Sequence, residues 1–216
     1  MSEYESLRSV AGDVSRETYE RLKTFEATFR KWAGRINLSA PSTLASLWQR
    51  HILDSAQLMP LAPKASRWVD IGSGGGFPGA IVATLLQERP GSRIALIESN
   101  RKKTAFLQAA LGEVGARAEI HSVRIEASHQ ALSFSPEVVT ARALAPLDVL
   151  FGLAEPWLSS GARGLFHKGR DYRMEVEQSS HAWNFNLIVH PSRIEPDSVI
   201  LEITELKRAV GNRRGG

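Results

Sequence analysis

The sequence predicts an α/β protein: a Rossmann-like, mainly parallel sheet with an antiparallel hairpin at its C-terminal end, preceded by an N-terminal helical extension. Three observations carry this. A short apolar strand runs straight into a glycine-rich turn at "WVDIGSGGGFPGA" (68–80). From there strand-like and helix-like segments alternate, which implies right-handed βαβ units and parallel pairing. The last two strand-like segments have no helix between them, as in a hairpin.

The helical extension occupies residues 1–60. Within Ser15 to Trp32, apolar residues recur at Tyr19, Leu22, Phe25, Phe29 and Trp32, steps of three and four that lie on one helical face. Pro41 and Ser42 open a second helix running to about Gln57, with Leu44, Leu47, Trp48, Ile52 and Ala56 on its apolar side. "MPLAPKAS" reads as a linker. The α/β domain spans 61–208. "RWVDI" is its first strand, followed by a helix from Pro78 to about Glu88. "RIALIE" (93–98) is the second strand and "RKKTAFLQAALGEVG" its helix. "RAEIHS" (117–122) and "EVVTAR" (137–142) are strands three and four. "PLDVLFGLAEPWL" is helical, "ARGLFHKG" is strand five, and "YRMEVEQSSHAW" is a further helix. "NFNLIVHPS" and "SVILEITEL" form the hairpin around Pro191 to Pro196. Residues 209–216 read as a basic, flexible tail.

A chain of 216 residues can bury one full-sized core. It has no cysteine, which excludes disulfides, thiolate metal sites and a cysteine nucleophile and fits a reducing compartment. No apolar run approaches the roughly 18 to 20 residues of a membrane span. The polar N-terminus is unlike a secretory or transit segment. A soluble cytoplasmic protein without a membrane partner is therefore expected. A net charge of +4 is compatible with a nucleic-acid partner.

In a doubly wound sheet, ligands bind beyond the carboxyl ends of the strands, near the switch point. The glycine turn sits there, and it parses in two ways. Gly74, Gly76 and Gly79 match G-x-G-x-x-G, the dinucleotide fingerprint. Gly72, Gly74 and Gly76, preceded by Asp70, match the D-x-G-x-G-x-G form of S-adenosylmethionine enzymes. Glu98, at the end of strand two, stands where an acid can accept hydrogen bonds from ribose hydroxyls. The closing hairpin favours the methyltransferase parse, and a nicotinamide enzyme would also need a substrate half that this length does not offer. A nicotinamide-dependent oxidoreductase and a noncatalytic RNA-binding module on the same fold are the alternatives.

Seven motifs then occur in order: "INLSA" (36–40), "RHILDS" (50–55), "DIGSGGGFPG" (70–79), "ESNRKKTAFL" (98–107), "RIE" (124–126), "ARAL" (141–144) and "HKG" (167–169). Together they resemble the bacterial small-subunit ribosomal RNA guanine-N7 methyltransferase family, RsmG, formerly GidB. The resemblance runs from about Trp32 to Leu206. It implies a class I methyltransferase fold and methyl transfer from S-adenosylmethionine to N7 of one guanine in the 530 loop of 16S rRNA. The substrate would be that RNA or a small-subunit particle, and the protein is expected to be a monomer. Carried over by motif, Gly72 and Phe77, the backbone around Ile125 and Glu126, and Arg142 are expected at the cofactor, beside Gly74, Gly76 and Glu98 from the loop reading.

Guanine N7 has a lone pair and no proton, so the expected chemistry needs alignment and neither a general base nor a metal. A cation can engage the neighbouring O6 or a phosphate. Arg50, His51, Arg142 and Lys168 are the candidates. "NRKK" (100–103) and the tail residues Arg213 and Arg214 are further candidates for phosphate contact.

Overall fold

The structure, a computed structural model, describes residues 1–38 and 40–209. The expected basic tail, with Arg213 and Arg214, lies outside the described residues beyond Ala209.

Seven strands form one sheet: β1 (Arg67–Ile71), β2 (Arg93–Ile97), β3 (Glu119–His121), β4 (Val138–Arg142), β5 (Arg163–Lys168), β6 (Trp183–Pro191) and β7 (Val199–Arg208). Their order is β3-β2-β1-β4-β5-β7-β6. The first five pair in parallel, and β7 runs antiparallel between β5 and β6. The hairpin thus inserts its second strand next to the parallel sheet and leaves its first at the edge. Side-chain pattern explains the choice. "VILEI" of β7 is buried throughout, whereas β6 is buried only at Trp183 and otherwise mixes partly buried with exposed positions, as an edge strand does. The strand order reverses between β1 and β4, which opens a crevice at their carboxyl ends.

Strand alternation divides the interior in two. Trp68, Ile94, Leu96, Val138, Leu165 and Ile200 face the N-terminal helices. Val69, Ile71, Ala95, Val139, Phe166 and Leu201 face α7 (Leu147–Leu158) and its neighbours. The helical extension and the sheet share the first of these cores.

That core is closed by α1 (Glu3–Ala11) and α2 (Arg16–Ala33). The helix α1 was not expected from the sequence. It is mostly polar and buries only Leu7 and Val10, but Ser2 and Glu5 form a reciprocal capping box at its start. In α2, Ser15 caps the first turn, and Leu22, Phe25 and Phe29 are fully buried.

The helix expected from Pro41 to about Gln57 is not one regular helix. It is a 3₁₀ segment at Pro41–Ser46, a π-helical segment at Trp48–Leu53 and a short α3 at Asp54–Ala56. Leu47, Trp48, Ile52, Leu53, Asp54, Ser55 and Ala56 are all buried. The apolar spacing that suggests one helical face does not reveal this change of winding. Widened turns often carry functional residues, and this one carries Arg50 and His51.

The remaining helices are α4 (Gly79–Leu85), α5 (Arg101–Glu113), α6 (Ile125–Ser128) and α8 (Tyr172–Ser180). Every residue of α4 is buried. The short α6 is an addition to the expected elements, and β3 is shorter than the expected 117–122. No helix among the described residues is long and apolar enough to cross a membrane.

Gly79 begins α4 against the floor of β1. A Cβ there would stand within 2.8 Å of Asp70 Cβ and Cγ and closer still to Oδ2. Gly79→Ala is expected to lower unfolding free energy by about 1–3 kcal/mol through overpacking, read as a shifted urea midpoint.

Candidate active site

The glycine turn leaves β1 and enters α4. Gly74 has φ +54°, and a Cβ placed on it would meet no heavy atom nearer than the Gly72 carbonyl at 3.7 Å. It faces open space. Two contacts fix the turn. Glu98, after β2, accepts the Gly74 amide on Oε2 at 2.8 Å and the Asn100 amide on Oε1 at 2.7 Å. Phe77 packs against Phe25, Phe29 and His51, with centroids 5.8, 5.1 and 4.8 Å away.

Beneath the turn, Asp70 is fully buried. Its Oδ1 accepts the Thr140 hydroxyl at 2.7 Å, and Oδ2 has no hydrogen-bond partner among the described residues. Burial pushes its carboxyl up to about 6, against the lowering effect of Thr140.

A cleft of about 300 Å³ opens over this floor. Gly72, Gly74, Phe77, Glu98, His51, Lys103 and Arg142 are among its lining residues. Gly76 is not. It turns inward, where a Cβ would meet Ala80, Leu107 and Phe25. Ile125 and Glu126 also do not line the cleft. They start α6 beyond β3, and Glu126 is exposed.

A second cleft, of about 640 Å³, lies on the other side of Arg142, Ala143 and Leu144, which line both. Arg50 and Lys168 belong to this larger space, and His51 to the smaller one. Arg50 is half exposed and pairs with Glu195 at 3.1 Å. The Lys168 ammonium is occupied by Glu175 at 2.6 Å and by the Ala145 carbonyl at 2.7 Å.

Arg142 is the shared wall. Its Nη2 donates to the Arg50 carbonyl at 2.7 Å, and its Nη1 stands 3.5 Å from Asp54 Oδ2. His51 carries two buried ring nitrogens without partners among the described residues. Burial, and then the Arg142 charge, push its pKa down to about 4. His167 is buried on the face opposite Lys168, donating Nε2–H to the Asp54 carbonyl at 2.9 Å; burial lowers its pKa too. Sequence reasoning did not single out Asp54 or Glu175. An acid inside the apolar run "ILDSA" was the one available signal for Asp54, and nothing local marked Glu175.

Sheet order, glycine turn and paired clefts define the class I methyltransferase architecture. Solved structures share it. An O-methyltransferase from Bacillus cereus in complex with SAH superposes with a TM-score of 0.57 at 12% identity, covering 93% of this chain and 96% of that one. The O-methyltransferase TomG from Streptomyces achromogenes in complex with SAM gives 0.57 at 16%, covering 91% and 93%. More specifically, residues 18–195 match the family model GidB, rRNA small subunit methyltransferase G. Proteins named Ribosomal RNA small subunit methyltransferase G from Chelativorans sp. (strain BNC1) and Brucella canis are 58% and 57% identical over 205 residues. Each match covers 95% of this chain, and 97% and 96% of the relatives respectively. The chain belongs to the rRNA small subunit methyltransferase G family. The dinucleotide parse of the glycine turn finds no support in these likenesses.

The raised pKa of Asp70 has a measurable consequence. The folded state holds this proton more tightly than the unfolded chain, so ionised Asp70 lowers stability as pH rises from about 4 through 6 and fully above it. The stability difference between Asp70→Asn and the wild type should therefore grow in the variant's favour by about 2–3 kcal/mol from pH 4 to pH 8. Urea unfolding at several pH values measures this, and a constant difference contradicts the assignment.

Proposed function

We propose that the protein transfers a methyl group from S-adenosylmethionine to N7 of a guanine in the 530 loop of 16S rRNA, acting as a cytoplasmic monomer on that RNA or on a small-subunit particle. The carrying observation is the pair of clefts divided by Arg142–Leu144 in a chain of this family.

The smaller cleft suits the methyl donor. It offers open space at Gly74, the aromatic wall of Phe77 and His51, and the carboxylate of Glu98. Each Glu98 oxygen already accepts one amide, and a carboxylate oxygen has a further lone pair for a ribose hydroxyl. The backbone of Ile125 and Glu126, which does not line this cleft, is assigned to the adenine end on the family motif alone. Gly76 serves by letting the turn approach the core. Bound S-adenosylmethionine supplies a methyl on a sulfonium, an electrophile that neutral guanine N7 attacks through its lone pair.

The chain's own work is alignment. Arg142 stands at the junction of the clefts, where a guanidinium can engage guanine O6 and leave N7 open. Arg50 is free to exchange Glu195 for a phosphate. His51 shares the cofactor cleft as an uncharged ring. Lys168, held by Glu175 and Ala145, braces the floor of the larger cleft.

Labelled methyl offered with small-subunit particles lacking their own modification is expected at a single guanine N7, mapped by N7-selective cleavage. Incorporation elsewhere, or none with either particles or free 16S rRNA, overturns this reading.

Both histidines near the clefts have depressed pKa values, and the nucleophile carries no proton. Single-turnover rates with bound RNA and donor should stay nearly flat from about pH 6.5 to 8.5, whereas a general base poised near neutrality gives a slope on the acid side. A tenfold loss per pH unit below neutrality, abolished by His51→Gln or His167→Gln, contradicts a base-free mechanism.

A further inference from the structure

The acid of "RHILDS" has no part in the reaction described so far. Asp54 is 3% exposed, and a carboxylate so deeply buried survives as an ion only if charge and hydrogen bonds replace its lost hydration. Its Oδ1 is supplied by neutral groups. It accepts from Gln57 Nε2 at 2.6 Å and from the Ser192 hydroxyl at 3.2 Å. Its Oδ2 faces Arg142 Nη1 at 3.5 Å and His167 Nε2 at 3.6 Å. The His167 Nε2–H is already donated to the Asp54 carbonyl, and burial keeps that ring uncharged near neutrality. Among the described residues, Arg142 is therefore the charge that balances Asp54.

The dependence runs both ways. Arg142 Nη1 is buried and has no hydrogen-bonded acceptor among the described residues, so the hold on that end of the guanidinium is Coulombic. The other end is tied to the Arg50 carbonyl. The same carboxylate reaches the turn between β6 and β7. Ser192 Oγ also accepts the amides of Ile194 and Glu195 at 3.1 Å each, and Gln57 Oε1 accepts the Arg193 amide at 2.9 Å. Glu195 in turn pairs with Arg50. One buried acid, in α3, links the last residue of β4 to the hairpin turn, and all three border the larger cleft.

We propose that Asp54 is a positioning residue for methyl transfer, holding the Arg142 guanidinium in the wall between the two clefts and locking that wall to the Ser192–Glu195 turn. This rests on the two-cleft reading of function above.

Asp54→Asn keeps the shape of the side chain and removes its charge. It is compared with Arg142→Met and with the double variant, by single-turnover methyl transfer to undermodified small-subunit particles and by titration with S-adenosylhomocysteine. Asp54→Asn should slow transfer on the order of tenfold to a hundredfold, the scale of a misplaced aligning group. Affinity for S-adenosylhomocysteine should stay within about threefold, and the double variant should be no slower than Arg142→Met alone, because the two act as a unit. Independent effects that multiply in the double variant, or an Asp54→Asn protein as fast as the wild type, overturn the proposal.

The guanidinium is also read without any reaction. Resolved ¹⁵Nη resonances of Arg142, reporting restricted rotation, are expected in the wild type and should merge in Asp54→Asn. Equally resolved signals in both proteins overturn the proposal. A wild type inactive on particles but with Asp54-dependent Nη resonances removes the substrate reading and leaves the positioning role standing. Should Asp54→Asn fail to fold, the double variant, which removes both members of the buried pair, is expected to fold; its failure too overturns the charge coupling.

Discussion

The two hydrogen bonds accepted by Glu98, from the amides of Gly74 and Asn100, hold the turn on which the site is built. A segment with five glycines between Gly72 and Gly79 has high conformational freedom in the unfolded chain and few side chains to order it. Its shape has to be imposed from outside. Glu98 imposes it from the neighbouring strand, at the end where β1 and β2 run in register. The interaction is charge-assisted and nearly sheltered from water, both of which strengthen it.

The second constraint comes from the helical extension. Phe77, the first bulky side chain after Gly72 in the turn, packs on Phe25 and Phe29 of α2 and stacks on His51 of the π-helical segment. The helices before the sheet therefore form one wall of the smaller cleft as well as covering a face of the core. Burial of that wall strips His51 of hydration and keeps it uncharged near neutrality, which avoids adding a further cation to Arg50 and Arg142.

Acids set the electrostatics of the larger cleft as much as cations do. Glu175 holds Lys168 and the Leu147 amide, Asp54 balances Arg142, and Glu195 shields Arg50. Of these three cations only Arg50 is half exposed, and a surface pair exchanges readily for another anion because water screens it. Arg142 and Lys168 are built in, with fixed positions. In the proposed reaction this cleft aligns a neutral nucleophile, for which such fixed charge is of use.

The sequence by itself determined the strands, the helices that alternate with them, the glycine turn and the motifs that mark the family. These are local signals: period, turn chemistry and short spacings that survive without knowledge of neighbours. It also determined that Glu98, Gly74 and Arg142 lie at the carboxyl ends of strands, because topology follows from element order. Tertiary structure alone decided the rest. Residues 41–56 break into 3₁₀, π and α segments, which the spacing of their apolar residues does not encode. Gly76 went to the core and Gly74 to the cleft, although the motif treats them alike, since the direction of a missing Cβ depends on what packs beside it. Lys168 lost its free charge to Glu175, seven residues away, and Arg142 gained its counter-ion from Asp54, on a helix before the sheet. Long-range pairing of charges is settled by which buried groups would otherwise stand uncompensated, and that is known only once the chain has closed.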